Sequence, residues 1–547
     1  MRPAYQITAI CAALLAGPAA HAADAGGQKL RERLPVVSGD RPAPKIEEND
    51  AAAKGDIGDT DRPLAAPSSI RLEGAIALSP DYFESIFARY VHRGLSRNDL
   101  AALAREVTDA YRAQGYFLSR AVIPPQTLSS GVLTVRVEEG RFVAVEFESG
   151  GNEELRAYFD RLLAEVPARR ETLEYAILTV GDLSGVTVDS SRSVPVGDSR
   201  GDYKLVLKVS GKPADGFIYA DNRGEGGGDA VQMSAQAGLN GVGLVGGRLE
   251  INAFTDLRDP SRSQYGEVSY SAPLGLRGTI VTVAASASNA VDGDFGSGRF
   301  RSHGTEVSLS LRHPVLRTRA KSMWVNVDLV QSNSDSDVDS FGIRRDELSM
   351  ARLGAAFDIR DEWGGRNRAS LGVTFGRDGF KTASLAHPMS AAGDGASFTK
   401  FTLSASRTQS LAPEWSLHAA LRGQYSADGL PGDEQVSFGG ARWGRAFDYG
   451  EVEGDTGAAA QLELRYTRDK LDFVDSLQAY AFADAAAVWI EDGKGEPNAL
   501  TSAGLGLRAA FGGGYRAGVE AAVPLDRIPD GKTNRNPRMF ATVSREF

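Results

Sequence analysis

The sequence predicts a transmembrane β-barrel of about sixteen antiparallel strands preceded by two small α/β domains. Three observations carry that reading. From Pro213 to Phe547 apolar and polar residues alternate with a period of two, and no helical period survives. The connections between those segments alternate between short and long. Between residues 70 and 209 the pattern is instead one of short strands and amphipathic helices.

Composition bounds the alternatives. The chain has 547 residues, 42% of them hydrophobic, which excludes disorder as its main state. With 61 basic against 71 acidic residues its net charge is -10, which argues against a nucleic-acid partner. Past residue 25 no apolar run approaches the ~18 residues that a membrane-spanning helix needs.

Residues 1–22 read as a signal peptide: Arg2, the apolar stretch Ile7 to Leu15, and the small-x-small site Ala20-His21-Ala22. Its cleavage would remove Cys11, the single cysteine, so the mature chain would hold no disulfide and no thiolate-bound metal. Residues 23–66 read as a linker, rich in Pro, Asp, Gly and Ala, with a short helical stretch at Lys29 to Leu34.

The first α/β domain spans residues 67–141. Ile70 to Ile76 holds a short strand. Ser96-x-x-Asp99 is a capping-box variant opening a helix with an apolar face of Leu100, Leu103, Val107 and Tyr111; Gly115 ends it. Phe117 to Ile123 and Val132 to Val137 read as a strand pair joined through Pro124-Pro125-Gln126 and Gly131. The second domain, residues 142–212, repeats the plan. One helical stripe is Leu155, Tyr158, Phe159, Leu162 and Leu163, and another is Leu173, Ala176, Ile177 and Val180. Strands follow at Val186 to Val188 and Tyr203 to Val209. Exposed strand edges in such modules suit capture of an extended peptide.

In the barrel, residues 213–547, Val307, Leu309 and Leu311 alternate with Glu306, Ser308 and Ser310, and Leu462 and Leu464 with Gln461, Glu463 and Arg465. One apolar and one charged face fit a strand between lipid and a wet lumen. Segments begin near residues 216, 230, 246, 263, 278, 301, 322, 346, 367, 398, 415, 457, 476, 502, 515 and 537. Connections after even segments are short (Pro273–Arg277, Leu411–Glu414, Gly512–Gly514). Those after odd ones are long (Ser332–Arg345, Lys381–Ser397, Ser426–Asp455). With both termini periplasmic this parity is that of an outer-membrane barrel. Val543 and the terminal Phe547 read as a barrel-assembly signal, with Arg545 snorkelling to the interface.

Several motifs fall away on context. Gly241-Val242-Gly243-Leu244-Val245-Gly246 has the dinucleotide spacing but opens no helix, so a periplasmic turn is expected. Asp335 to Asp339 resembles the start of a calcium loop, but Ser340 stands where Gly is required; a solvated outer loop is expected. No catalytic triad, metal-ligand spacing or cofactor motif is present, so no catalytic residue, metal or cofactor is assigned.

The connection at residues 426–455 is different. It is the longest, and Val436, Phe438, Trp443, Phe447 and Tyr449 punctuate it. Gly439-Gly440 and Gly454-Asp455 look like shape-setting supports, and the whole is expected to fold inward. Further on, Gln478, Tyr480, Phe482 and Asp484 share one face of a strand, which should point into the lumen. Arg445 could grip Asp484 through a bidentate pair; two unrelated lumen charges is the other reading.

The order of leader, linker, two modules and sixteen strands resembles the two-partner secretion transporters, the TpsB (FhaC/ShlB/HecB-like) branch of the POTRA-plus-barrel superfamily. The most specific stretch is Tyr111-Arg112-Ala113-Gln114-Gly115-Tyr116-Phe117-Leu118-Ser119-Arg120-Ala121-Val122-Ile123-Pro124-Pro125-Gln126, followed by Gly131-Val132-Leu133 and Glu138-Glu139-Gly140, which resembles the first POTRA domain. Asp182-Leu183-Ser184-Gly185-Val186 resembles a motif of the second, with Ser184 in place of Pro. Gly444-Arg445-Ala446-Phe447 occupies the place of the family's Val-Arg-Gly-Phe/Tyr loop tip, and Phe482-Ala483-Asp484-Ala485-Ala486 that of its Phe-x-Asp-x-Gly strand. Gly444, Ala446 and Ala486 are departures from those patterns. The resemblance implies a contact between Arg445 and Asp484 and a plug helix near Leu30 to Leu34.

It also implies a function: export of an unfolded exoprotein carrying an N-terminal secretion domain, without enzymatic activity. The other expected partners are outer-membrane lipid and, during biogenesis, the barrel-assembly machinery. A barrel-assembly insertase and a diffusion porin are the alternatives.

Overall fold

The computed structural model describes residues 66–547 apart from 129, 198–200, 225–230, 296–297, 339–340, 379–396 and 491–495, together with the backbone of 45–47. The expected signal peptide and plug helix and most of the Lys381–Ser397 connection lie outside the described residues. The chain forms two compact units, one of which is the barrel and the other the region from Pro42 to Lys212.

In the latter unit, strands β1 (Lys45–Glu47), β2 (Ser69–Glu73), β3 (Arg120–Val122), β4 (Val132–Glu138), β5 (Arg141–Ser149), β6 (Val186–Pro195) and β7 (Asp202–Gly211) make two sheets. The first has the order β2-β4-β3 and the second β1-β6-β7-β5. In the first module the helix Arg97–Ala113 opens on a complete capping box. The Ser96 hydroxyl accepts from the Asp99 N–H, and the Asp99 carboxylate accepts from the Ser96 N–H at 2.8 Å. Its buried face is Leu103, Val107 and Tyr111.

Gly115 follows at φ +86, a left-handed turn that reverses the chain toward β3. Tyr116 is buried, its ring under the guanidinium of Arg169 at 5.1 Å. After Pro124 and Pro125, which cannot both serve a ladder, the Gln126 side chain continues it. Its amide donates to the Thr134 carbonyl and accepts from the Thr134 N–H, both at 2.8 Å.

The second module differs from its expectation in three places. The stripe from Leu155 to Leu163 is broken into the short helices Glu153–Arg156 and Asp160–Ala164 around a 3₁₀ turn at Ala157–Phe159. β5 is an extra strand, its alternation masked by three charged residues in nine. The linker also contributes β1, paired in parallel with β6 from Lys45↔Ser190 to Glu47↔Arg192.

The barrel comprises β8 (Ala214–Asp221), β9 (Gln232–Asn240), β10 (Arg248–Asp256), β11 (Ser263–Pro273), β12 (Ile280–Phe295), β13 (Gly298–Arg317), β14 (Lys321–Val338) and β15 (Phe341–Arg360). Then come β16 (Gly365–Asp378), β17 (Ser397–Ser410), β18 (Trp415–Ser426), β21 (Thr456–Leu471), β22 (Val474–Trp489), β23 (Asn498–Phe511), β24 (Tyr515–Pro524) and β25 (Arg538–Glu546). Between β18 and β21 the small strands β19 (Val436–Phe438) and β20 (Val452–Gly454) pair only with each other. The sixteen strands form a closed barrel in which β25 pairs with β8, from Thr542↔Asp221 to Glu546↔Phe217. Closure removes the sheet edges that lipid could not satisfy.

The faces are inverted relative to a water-soluble protein. Val307, Leu329 and Leu462 are about half exposed, whereas Glu306, Asp328 and Glu463 are buried. Such an arrangement is stable only where the outside is hydrocarbon. Trp363 and Phe473 project from short turns, where aromatic rings mark a membrane interface. Met539, Val543 and Phe547 face outward, and Arg545 lies over the Tyr515 ring at 4.7 Å.

Residues 241–247 form the tight β9–β10 turn, with Gly241, Gly243 and Gly246 all at positive φ. One connection is corrected. Residues 332–338 and 341–345 are strand rather than loop, because β14 and β15 continue as a long hairpin in which Asp335 pairs with Arg345. The Asp/Ser run hid it, since a strand that leaves the membrane loses its apolar face and with it the alternation.

Candidate functional site: an inward loop on the barrel wall

Residues 427–455 leave β18 and turn into the barrel. Their apolar side chains, Val436, Phe438, Trp443, Phe447 and Val452, are all nearly fully buried and join one cluster with wall residues Tyr480, Phe482, Leu500 and Phe540. This apolar seat explains the aromatics that a solvated loop would not carry.

The tip is a knot of tight turns. The Gly439 N–H donates to the Trp443 carbonyl, the Gly440 N–H to that of Phe447, and the Phe447 N–H to that of Gly444. Gly439 and Gly440 sit at φ +119 and +92, and a Cβ on Gly439 would lie 2.0 Å from the Asp448 carbonyl oxygen. Gly444 is at φ +68, a conformation that a β-branched residue strongly resists. Ala446 and Phe447 are buried. At the loop's exit Gly454 has room for no side chain, and Asp455 accepts from the Leu430 N–H at 3.0 Å and from Gln435 at 2.9 Å, tying the two legs together.

Arg445 projects from this knot into a buried group of charges. Its guanidinium lies 2.8 Å from Glu463 on β21, 3.2 Å from Glu520 on β24 and 3.6 Å from Asp484 on β22. The group also stacks over the Phe482 ring, 4.0 Å from its centroid. The expected bidentate grip on Asp484 is thus corrected to a looser pair within a set of three carboxylates. Asp484 instead spends one oxygen on the Gly444 N–H at 2.8 Å and the Ser502 hydroxyl at 2.6 Å. It holds the tip through backbone as well as charge.

Further arginines complete the group. Arg223 donates to the Arg445 carbonyl at 3.0 Å and pairs with Glu520 at 2.5 Å. Arg465 and Arg508 both pair with Glu463. Three carboxylates could not share so small a buried space without these guanidiniums. The wall is shaped for the aromatics: a Cβ on Gly504 would lie 2.6 Å from Phe482, and one on Gly506 would lie 2.3 Å from the Tyr480 hydroxyl oxygen. Sequence reasoning missed the roles of Glu463, Glu520 and Arg223. Alternation alone places Glu463 and Glu520 on the lumen face, but strand order decides that they meet.

A family model described as haemolysin secretion/activation protein ShlB/FhaC/HecB matches residues 203–509, and an ShlB-type POTRA domain matches residues 66–140. The chain belongs to that family. It is an outer-membrane transporter with its POTRA domains in the periplasm. Similar curated proteins include the outer membrane transporter CdiB of Escherichia coli, 26% identical over 503 residues, covering 86% of this chain and 81% of the relative. The heme/hemopexin transporter protein HuxB of Haemophilus influenzae is 22% identical over 473 residues, 82% of this chain and 81% of the relative. Among solved structures, CdiB from Escherichia coli matches with a TM-score of 0.72 at 23% identity, covering 93% of this chain and 94% of the other. CdiB from Acinetobacter baumannii matches at 0.65 and 16%, covering 89% and 91%. Both share the fold. The family match favours the transporter over the insertase and the porin.

Proposed function

We propose that this transporter passes an unfolded partner exoprotein, recognised by its N-terminal secretion domain, outward through the barrel, and that release of the 426–455 loop opens the path. The observation that supports this is the seating of the loop tip on the barrel wall, with the Arg445 guanidinium among Glu463, Asp484 and Glu520. An ionic contact of this kind can be exchanged for others as a chain moves past, whereas a fused wall cannot.

The periplasmic modules would capture the exoprotein by strand addition. Among the described residues β2 and β3 end the first sheet and β5 and β1 the second, β1 covering β6. Folding of the cargo outside would supply the drive, and no catalytic step is needed. Outer-membrane lipid bathes the apolar belt, and the barrel-assembly machinery would read the strand that carries Val543 and Phe547. Export is tested by co-expressing the chain with its partner and measuring the secreted protein: Arg445→Ala should abolish secretion while the barrel still assembles.

A further inference from the structure

The loop is held at a second place, ahead of its tip. Leu430 is buried in an apolar recess of Val330 on β14, Leu348 and Met350 on β15, and Phe398 on β17. Four residues on, the Glu434 carboxylate is fully buried between two cations, 2.8 Å from Arg352 on β15 and 2.6 Å from Lys400 on β17. The Glu434 carbonyl also accepts from Lys400 at 3.0 Å and from Gln424 at 2.8 Å. Around the barrel the order runs β15, β16, β17, β18, β21, β22, β23, β24, so Arg352 and the Glu520 that meets Arg445 stand seven places apart in a ring of sixteen. The two holds thus share one arc of the wall, the base on β15 and β17 and the tip on β21, β22 and β24.

We propose that Glu434 is a positioning residue, an anchor that fixes the base of the loop to the β15–β17 wall independently of the Arg445 tip. This rests on the reading of the loop as the element that occludes the path. The base is a separate hold. It combines a recessed apolar side chain, two charge pairs and two bonds to one carbonyl, none of them shared with the tip.

Planar-bilayer recordings on the purified full chain read this without any cargo. Glu434→Gln keeps the side-chain volume and removes the charge. It should raise the frequency of channel openings at least about tenfold, the change that loss of ~1.4 kcal/mol of holding energy produces. Because Gln leaves a buried ammonium without its carboxylate, a second variant carries Glu434→Gln with Lys400→Met. It should open equally often and keep the electrophoretic mobility of the folded barrel. Adding Arg445→Ala to Glu434→Gln should open the channel more than either change alone.

Openings at the unmodified frequency in a folded Glu434→Gln barrel would overturn the proposal. So would unfolding of both Glu434 variants, which would make Glu434 a folding residue. If the unmodified chain exports no partner yet Glu434→Gln opens the channel, the translocase reading fails and the anchor stands; export with a closed Glu434→Gln channel gives the reverse.

Discussion

Arg445 lies closer to Glu463 than to Asp484, 2.8 Å against 3.6 Å, and the difference changes what each carboxylate does. Glu463 takes charge from Arg445, Arg465 and Arg508, whereas Asp484 also accepts the Gly444 N–H. The loop tip is thus held by its side chain on β21, β22 and β24 and by its backbone on β22.

Arg445→Lys should be nearly as damaging as Arg445→Ala. A point-like ammonium cannot reach three carboxylates that a planar fork spans, and breaking a buried pair costs about 3–5 kcal/mol. Secreted cargo should fall to background in both variants. The folded barrel should persist on cold electrophoresis, because the sixteen-strand ladder does not depend on Arg445.

Asp484→Asn should be milder than Glu463→Gln. An amide oxygen at position 484 can still accept from Gly444 and Ser502, which preserves the backbone hold. Removing the Glu463 charge leaves Arg465 and Arg508 facing one another without it. Channel recordings should show more frequent openings for Glu463→Gln than for Asp484→Asn; the reverse order would contradict the division of roles.

Gly506→Ala should lower barrel stability by about 1–3 kcal/mol, the usual cost of overpacking. The added Cβ would collide with the Tyr480 side chain, which packs inward above that glycine and donates its hydroxyl to Glu520. The temperature at which the folded band is lost on electrophoresis measures this. Pairing with Tyr480→Phe, which removes the hydroxyl, should recover part of the loss.

In the first periplasmic module the Asp99 carboxyl is held below its ordinary value, first by the Ser96 N–H and then by the Ser96 hydroxyl, with Arg93 adding less. A carboxyl depressed on folding stabilises the native state above its unfolded value of about 3.9, and that contribution is lost as pH falls through the folded value. Ser96→Ala should destabilise the helix Arg97–Ala113 by about 1 kcal/mol, the usual value of an N-cap. Hydrogen exchange of its first turn should rise in Ser96→Ala at neutral pH and approach that of the unmodified chain in strong acid.

Much of the barrel was legible. Fifteen of the sixteen strands begin within four residues of the expected positions, and the remaining one, β15, begins five residues earlier. Alternation reports a strand wherever lipid contrasts with a lumen. It fails in β14 and β15 beyond the membrane, where both faces are polar, and in β5, where charged residues interrupt it.

By itself the sequence determined the class of fold and the inward face of β22. Each of these is a property of a residue and its near neighbours, set by sterics or by a period of two. Which carboxylate meets which guanidinium was decided only in the closed barrel. Glu463, Asp484 and Glu520 come from three strands, and Arg223 lies 222 residues from Arg445 along the chain. Strand order, register and the curvature of a ring bring them together, and they likewise bring Arg352 and Lys400 to Glu434. A long-range Coulomb contact has no local signature in the chain, because the energy depends on a distance that only closure fixes.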